Sequence, residues 1–346
     1  MPGRGQFIRW GSGVAVLTSM LMVAALTLLA GPTASAAPPD RPTAVVALGD
    51  SAASGEGAGS YEAGTRGEGG NWCHRSTNAY IQQTGLAEQA VNLACSGAQS
   101  ADVAAQAQRL VDVANRYRVT AIVLQVGASD DPAFGDVVVT CVAAWLNVLR
   151  PGCSAGLQAQ WPARVAAMAP KVEKAVRDVR AALRKAGYGD GDYTFVLASY
   201  ASPVTEKMVV LHGVRGCPFR SADAKWGRTV AVPQLSDGLR GVADRTGVRF
   251  LDLSRATEDR EACSHQLRSN EWQRRLAVTP TAFATGGPAA AGHLAQESFH
   301  PNAAGQTQMG GCFGEFVRST DSRGQCLVGP DGQLHSVAGS AVPVLA

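Results

Sequence analysis

A three-layer α/β fold with a mainly parallel central sheet is what this sequence predicts, and three observations predict it. Apolar, β-rich runs alternate with stretches of helical periodicity. One run, "VTAIVLQVG" (Val119–Gly127), is almost continuously apolar, the pattern of a strand covered on both faces. The segments between runs are too long for hairpins and suit crossovers between parallel strands.

The elements follow in order along the 346 residues. Arg4 and Arg9 precede an uncharged apolar stretch, Val14–Ala30, and then Ala34-Ser35-Ala36. That is the architecture of a signal peptide over residues 1–36 with cleavage near Ala36, so export is expected. Arg4 and Arg9 are not adjacent, which gives the twin-arginine route no support. Residues 37–43, with "PPDRP", read as a linker, and a single domain is expected over 44–320. Strands are expected at Ala44–Leu48, Ala90–Cys95, Val119–Gly127, Tyr193–Tyr200 and Val248–Leu253. Ala101–Arg118 and Arg164–Lys185 carry apolar residues at helical spacing, Val103, Ala107, Leu110 and Ala114 in the first and Val165, Met168, Val172, Val176 and Leu183 in the second. Cys141–Trp161 and Lys207–Trp226 read as loops held by crosslinks. Residues 321–346 read as a terminal hairpin and tail, with a Gly-Pro-Asp-Gly turn inside "LVGPDGQLHSV". Nothing beyond the signal is long and apolar enough to span a bilayer.

Composition narrows the class. A formal charge of +3 with no Lys/Arg block offers nothing to a nucleic acid. The eight cysteines, Cys73, Cys95, Cys141, Cys153, Cys217, Cys263, Cys312 and Cys326, all follow the signal, so disulfides are expected. None has zinc-site spacing with a partner Cys or His. Eight cysteines allow 105 pairings. Loop-closure entropy mildly favours neighbours, 73–95, 141–153, 217–263 and 312–326, without excluding the rest.

The chemistry starts at "VVALGDSAASGEG", where an apolar strand ends in a serine and small residues. By itself Gly49-Asp50-Ser51 is ordinary turn chemistry. In an α/β sheet, however, sites gather at the carboxyl ends of strands, and Ser51 stands at one. A serine nucleophile needs a base, a group to orient the base, and donors for an oxyanion. Of six histidines, His300 in "ESFHPNAAGQ" stands at a helix entrance, because Pro301 can begin a helix. Glu297, three residues earlier, is a carboxylate one turn away that would orient His300 through Nδ1. Gly97 in "ACSGAQS" and Ser129 in "VGASDD" follow the second and third strands and are the candidate oxyanion donors. Gly97 also fits a plain positive-φ turn, and Ser129 a plain cap. Asp130 and Asp131 lack further ligands, so no metal is expected. The glycines of "GEGAGSYEAGTRGEGG" lack a phosphate-loop lysine and a dinucleotide fingerprint, so no cofactor is expected either.

These blocks, in this order, resemble the GDSL/SGNH hydrolase superfamily, in its secreted, disulfide-containing actinobacterial esterase and lipase branch. "GDSAASGEG" resembles the nucleophile block, "NLACSGAQ" the glycine block, "VGASDDPAF" the Gly-x-Asn-Asp block and "ESFHPNAAG" the Asp-x-x-His block. The resemblance implies a flavodoxin-like sheet, ester hydrolysis through an acyl-enzyme, Ser51 as nucleophile, His300 as base, Gly97 as oxyanion donor, and disulfides between neighbouring cysteines. Two positions depart from the pattern: Ser129 stands for asparagine and Glu297 for aspartate. Some members of the branch orient the histidine by a main-chain carbonyl, which would lessen the weight on Glu297.

The expectation is an exported, monomeric serine esterase or lipase acting on small-molecule or lipid esters. The alternatives are a carbohydrate deacetylase or phospholipid acyl hydrolase on the same scaffold, or a catalytically impaired member that binds an envelope lipid or glycan.

Overall fold

The computed structural model describes residues 40–278 and 292–339, together with Met1 and Gly3. The expected cleavage site, nearly all of the signal peptide, the start of the linker and the end of the tail lie outside the described residues. β1 (Thr43–Gly49) runs into a one-turn helix, α1 (Ser51–Ser54), and β2 (Gln89–Asn92) follows. Next come α2 (Val103–Arg116), β3 (Arg118–Gln125), α3 (Phe134–Leu146), α4 (Cys153–Leu157), α5 (Trp161–Lys185) and β4 (Thr194–Ala198). The chain continues through α6 (Ser221–Trp226), α7 (Val232–Thr246), β5 (Arg249–Asp252), α8 (Ala303–Arg318), β6 (Arg323–Val328) and β7 (Leu334–Ala338).

The sheet order is β2-β1-β3-β4-β5-β6-β7, with every adjacent pair parallel except β6–β7. Alternation along the strands feeds both faces. Val46, Leu48, Ile122 and Leu124 pack with Leu110, Val172 and Leu239 of α2, α5 and α7. Val45, Ala47, Ala121 and Val123 pack with Tyr80 and with Phe313 and Phe316 of α8. This is the three-layer α/β arrangement, and each fully buried Val or Leu stabilises it by roughly 1.5–3 kcal/mol. The segment read as a terminal hairpin supplies β6 and β7, which extend the central sheet past β5. Among the described residues no helix is long and apolar enough to cross a membrane.

All four neighbouring cysteine pairs are bonded: 73–95, 141–153, 217–263 and 312–326. The two regions read as loops are partly helical: α3 runs into the first, which also holds α4, and α6 lies in the second. Asp223 of α6 joins the two, accepting from Cys153 N at 3.1 Å and Ser154 N at 3.0 Å. Sequence periodicity is blind to helices of five or six residues whose support comes from a distant segment.

α8 is longer than its glycines suggest. It begins directly after Asn302, whose Oδ1 accepts from Gly305 N at 2.9 Å as an N-cap. Its glycines lower helix propensity but let it lie against backbone. A Cβ on Gly310 would stand 2.6 Å from the carbonyl oxygen of Tyr80.

β1 ends in the tightest approach of the sheet. Gly49 has φ +136°, and a Cβ there would lie 1.9 Å from the Gln125 carbonyl oxygen at the end of β3. The buried Gln106 side chain of α2 closes the other side, accepting from Gly49 N at 2.7 Å and donating to Gly49 O at 2.8 Å. Gly49→Ala therefore combines a left-handed-side backbone with a backbone collision. It should lower stability by about 3–5 kcal/mol in denaturant unfolding; a midpoint equal to wild type would show that β1 can leave β3 without cost.

Candidate active site

Parallel pairing puts the ends of β1, β2 and β3 at one edge of the sheet, so Ser51, Gly97 and Ser129 all leave from that edge. Ser51 is the first residue of α1. Asp50 is its N-cap, with Oδ1 accepting from Ala52 N at 3.1 Å, and Gly55 closes the turn in the left-handed region. From the β2 side, Asn92 Nδ2 donates to the carbonyls of Ala53 at 3.0 Å and Ser54 at 3.2 Å. The serine is thus fixed by its strand, its cap and a neighbouring strand.

His300 arrives from the other end of the chain. The 272–274 segment holds it by backbone: Arg274 N donates to His300 O at 2.8 Å and Phe299 N to Arg274 O at 2.9 Å. Asn302 N bonds Trp272 O at 2.9 Å, which sets the entry into α8. The outcome is a contact of 2.8 Å between His300 Nε2 and Ser51 Oγ. Burial pushes the His300 imidazole below its ordinary value, against the charges of Glu56 and Glu297 and the Ser298 carbonyl, which act to raise it. A neutral imidazole is the form that can accept the serine proton.

The orienting carboxylate expected at Glu297 is not at Nδ1. His300 Nδ1 faces the Ser298 carbonyl oxygen at 3.0 Å. Glu297 is buried and pairs instead with Arg274 at 2.8 Å. The three-residue spacing would bring Glu297 to the ring in a regular helical turn. Here Phe299 has φ +59°, and this left-handed residue marks the turn in which Ser298 C=O, not Glu297, meets the imidazole.

The Ser51 and Gly97 amides have no hydrogen-bond acceptor among the described residues. Gly97 is exposed, at φ +80°, in a loop tied down by Cys73–Cys95. Ser129 lies half-buried in the turn after β3, and its hydroxyl has no partner among the described residues. Its carbonyl accepts from Gln99 Nε2 at 3.1 Å, and Asp130 accepts from Ser100 N at 3.2 Å, so the glycine and serine loops are bonded to each other.

Sequence reasoning missed three groups around this pair. Tyr200 donates to Asp50 Oδ2 at 2.5 Å while accepting from Ala128 N at 3.2 Å, a bridge from β1 to the Ser129 turn. Glu56, His74 and Glu297, all buried, bring ligand-type atoms within 4.8 Å of one another. Their oxygens are engaged by protein: His74 Nδ1 lies 2.9 Å from Glu56 Oε1, Gln296 Nε2 2.8 Å from Glu56 Oε2, and Arg274 holds Glu297. The third group is an apolar crevice beside His300, walled by Phe134, Pro203, Val232, Leu235 and Phe299. It continues to Trp161, Phe219 and Trp226, under the helix that carries Cys141. An apolar run in sequence gives no sign of whether it lines a crevice or fills the core.

With this geometry in place, comparison with known proteins is specific. The model of the GDSL-like lipase/acylhydrolase family matches residues 47–308. A lipase from Streptomyces rimosus is 32% identical over 137 residues, 39% of this chain and 47% of the relative. Lipase 1 of Streptomyces coelicolor is 34% identical over 132 residues, 37% of this chain and 46% of the relative. The chain thus matches about half the length of these curated relatives. Among solved structures, phospholipase A1 from Streptomyces albidoflavus NA297 superposes with a TM-score of 0.57 at 23% identity, over 77% of this chain and 95% of that one. The extracellular lipase of Streptomyces rimosus gives 0.50 at 22% identity, with the same coverages of 77% and 95%. At these identities the structural likeness establishes the fold.

The buried cap also makes stability depend on pH. Burial raises the Asp50 carboxyl from its ordinary 3.8 to about 7, against the hydrogen bonds from Tyr200 and Ala52, which lower it. The folded state therefore holds a proton that the unfolded chain has released, and stability falls as pH rises from 3.8 to about 7. Glu261, raised to about 7 by burial, contributes in the same sense, so the difference between variant and wild type isolates Asp50. Asp50→Asn keeps a capping oxygen and should flatten the loss over this window, measured by denaturant unfolding at stepped pH. An unchanged slope would place the titration elsewhere.

Proposed function

This chain belongs to the GDSL-like lipase/acylhydrolase family, and from that membership we propose that it hydrolyses carboxylic esters through a Ser51 acyl-enzyme. The observation that carries the proposal is the 2.8 Å contact between His300 Nε2 and Ser51 Oγ, beside an apolar crevice that His300 lines. Ser51 Oγ attacks the ester carbonyl while His300 Nε2 takes its proton. The imidazolium then gives that proton to the departing alcohol. Water, deprotonated by the same nitrogen, attacks the acyl-enzyme and releases the acid. The unengaged amides of Ser51 and Gly97, with the Ser129 hydroxyl, are the candidate donors to the oxyanion. The Ser298 carbonyl holds the histidine's tautomer by accepting from Nδ1–H. The pair is a dyad oriented by backbone.

The crevice supports an aliphatic acyl chain over an acetylated glycan. A sugar would leave most of its hydroxyls against Phe134, Val232, Leu235 and Phe299, which offer no hydrogen bonds, with Gln125, Tyr200 and Gln273 the polar groups of the lining. Four disulfides support an exported chain working in an oxidising space. The nucleophile and base both come from one chain, which supports a monomer as the working unit.

Ser51→Ala and His300→Ala should each remove nearly all hydrolysis of p-nitrophenyl esters and, for Ser51→Ala, labelling by a fluorophosphonate. The double variant should be little worse than either, because the two act as a unit. Wild-type turnover in purified Ser51→Ala would refute the assignment. For the crevice, Leu235→Trp should lower kcat/KM for long-chain esters by about tenfold or more while sparing acetate and butyrate, since each buried methylene is worth roughly 0.8 kcal/mol. Equal losses at every chain length would remove the crevice from the substrate's path.

A further inference from the structure

Two carboxylates lie beside His300, and one of them has no lysine or arginine partner among the described residues. Glu297 is paired with Arg274 at 2.8 Å, and the same guanidinium donates to the Gly57 carbonyl at 3.0 Å. Glu56 is fully buried, yet among the described residues no lysine or arginine reaches it. Its partners donate without needing a charge: His74 Nδ1 at 2.9 Å, the Tyr61 hydroxyl at 3.2 Å and Gln296 Nε2 at 2.8 Å. The Tyr61 ring stacks on His74 at 4.2 Å and keeps water from the pair.

The carboxylate is tied to both halves of the site. Glu56 N donates to Ser51 O at 3.0 Å, closing the turn that begins at the nucleophile. The next residue touches the base: a Cβ on Gly57 would lie 3.0 Å from His300 Cβ and 3.2 Å from the Glu297 carbonyl oxygen. At its own Nδ1, His300 has a neutral carbonyl, which orients the ring but brings no full charge to the imidazolium formed during turnover.

We propose that Glu56 supplies that charge, stabilising the His300 imidazolium through space as the anionic member that the Ser51–His300 pair lacks at Nδ1. Inside a dry site a fixed negative charge on the residue before Gly57, which itself packs on the base, acts at low dielectric and needs no reorganisation as the proton moves. Glu56 is ready for it: burial pushes its carboxyl up, but the His74 hydrogen bond, the charges of His300 and His74, and the Ser96 hydrogen bond outweigh burial and hold it below the usual range. The groups facing His300 are Glu56, Glu297 and Ser51. Those facing Glu56 are His74, Tyr61, Gln296 and Ser96, with Arg274 behind Gly57 and His293 behind Gln296. Asp50 lies on the cap side of Ser51, bound to Tyr200.

The inference rests on the Ser51–His300 reading, so the test uses the full secreted chain with wild type beside each variant. Removing the charge makes the imidazolium harder to form. Glu56→Gln should therefore lower kcat by about tenfold or more with KM unchanged, and move the acid limb of kcat/KM to lower pH. Glu56→Asp, which keeps the charge, should hold the limb near wild type. Gln296→Lys places a cation on the other carboxylate oxygen and should shift the limb in the same direction as Glu56→Gln. Thermal unfolding confirms folding of each, and if Glu56→Gln does not fold, Gln296→Lys decides. A folded Glu56→Gln or Gln296→Lys with the wild-type limb and kcat overturns the proposal. A wild type that neither hydrolyses esters nor takes up fluorophosphonate sinks the dyad beneath it and the proposal with it.

Discussion

The contact of Gly49 with the Gln125 carbonyl is the constraint on which the rest of the site depends. It brings the ends of β1 and β3 closer than any side chain would allow. With Gln106 holding the same peptide from α2, the chain has one direction in which to leave the sheet. Asp50 must then face inward as the cap, and Ser51 must stand at the edge. Everything the serine meets is arranged around that fixed point: Asn92 from β2, Tyr200 from the end of β4, and His300 from the loop before α8.

Much of this was legible in the sequence, because it is local. The strand ending in Gly-Asp-Ser, the order of the blocks and the apolar run of β3 each lie within a dozen residues, where period and turn chemistry carry the information. His300 was legible for the same reason: Pro301 signals a helix entrance, and α8 does begin two residues later, after its Asn302 cap. What failed at Glu297 was an assumption about backbone. A spacing of three means contact only if the turn is regular, and the positive φ of Phe299 rotates the carboxylate away and the Ser298 carbonyl in. No residue type at 297 could announce that.

The network around Glu56 was illegible for a different reason. Glu56 and His74 are 18 residues apart, and Glu56 and Gln296 are 240 apart. They meet through a glycine-rich loop whose only visible property in sequence is flexibility. In the structure that loop is pinned by Cys73–Cys95 and by Tyr61, and its small residues serve close packing against the histidine loop. The same holds for the crevice: Phe134, Val232 and Phe299 have the composition of core, and only their placement beside His300 separates a wall from a filling.

The sequence separation of 249 between Ser51 and His300 has a consequence for timing. A ribosome completes the nucleophile's strand early and the histidine's loop near the end. The helix that follows His300 is then locked by a bond from Cys312 to Cys326, on a strand later still. An N-terminal fragment, however well its first strands pair, holds a serine with no base. An incomplete chain therefore lacks the Ser51–His300 contact, and the pair is assembled only once the last strands have joined the sheet.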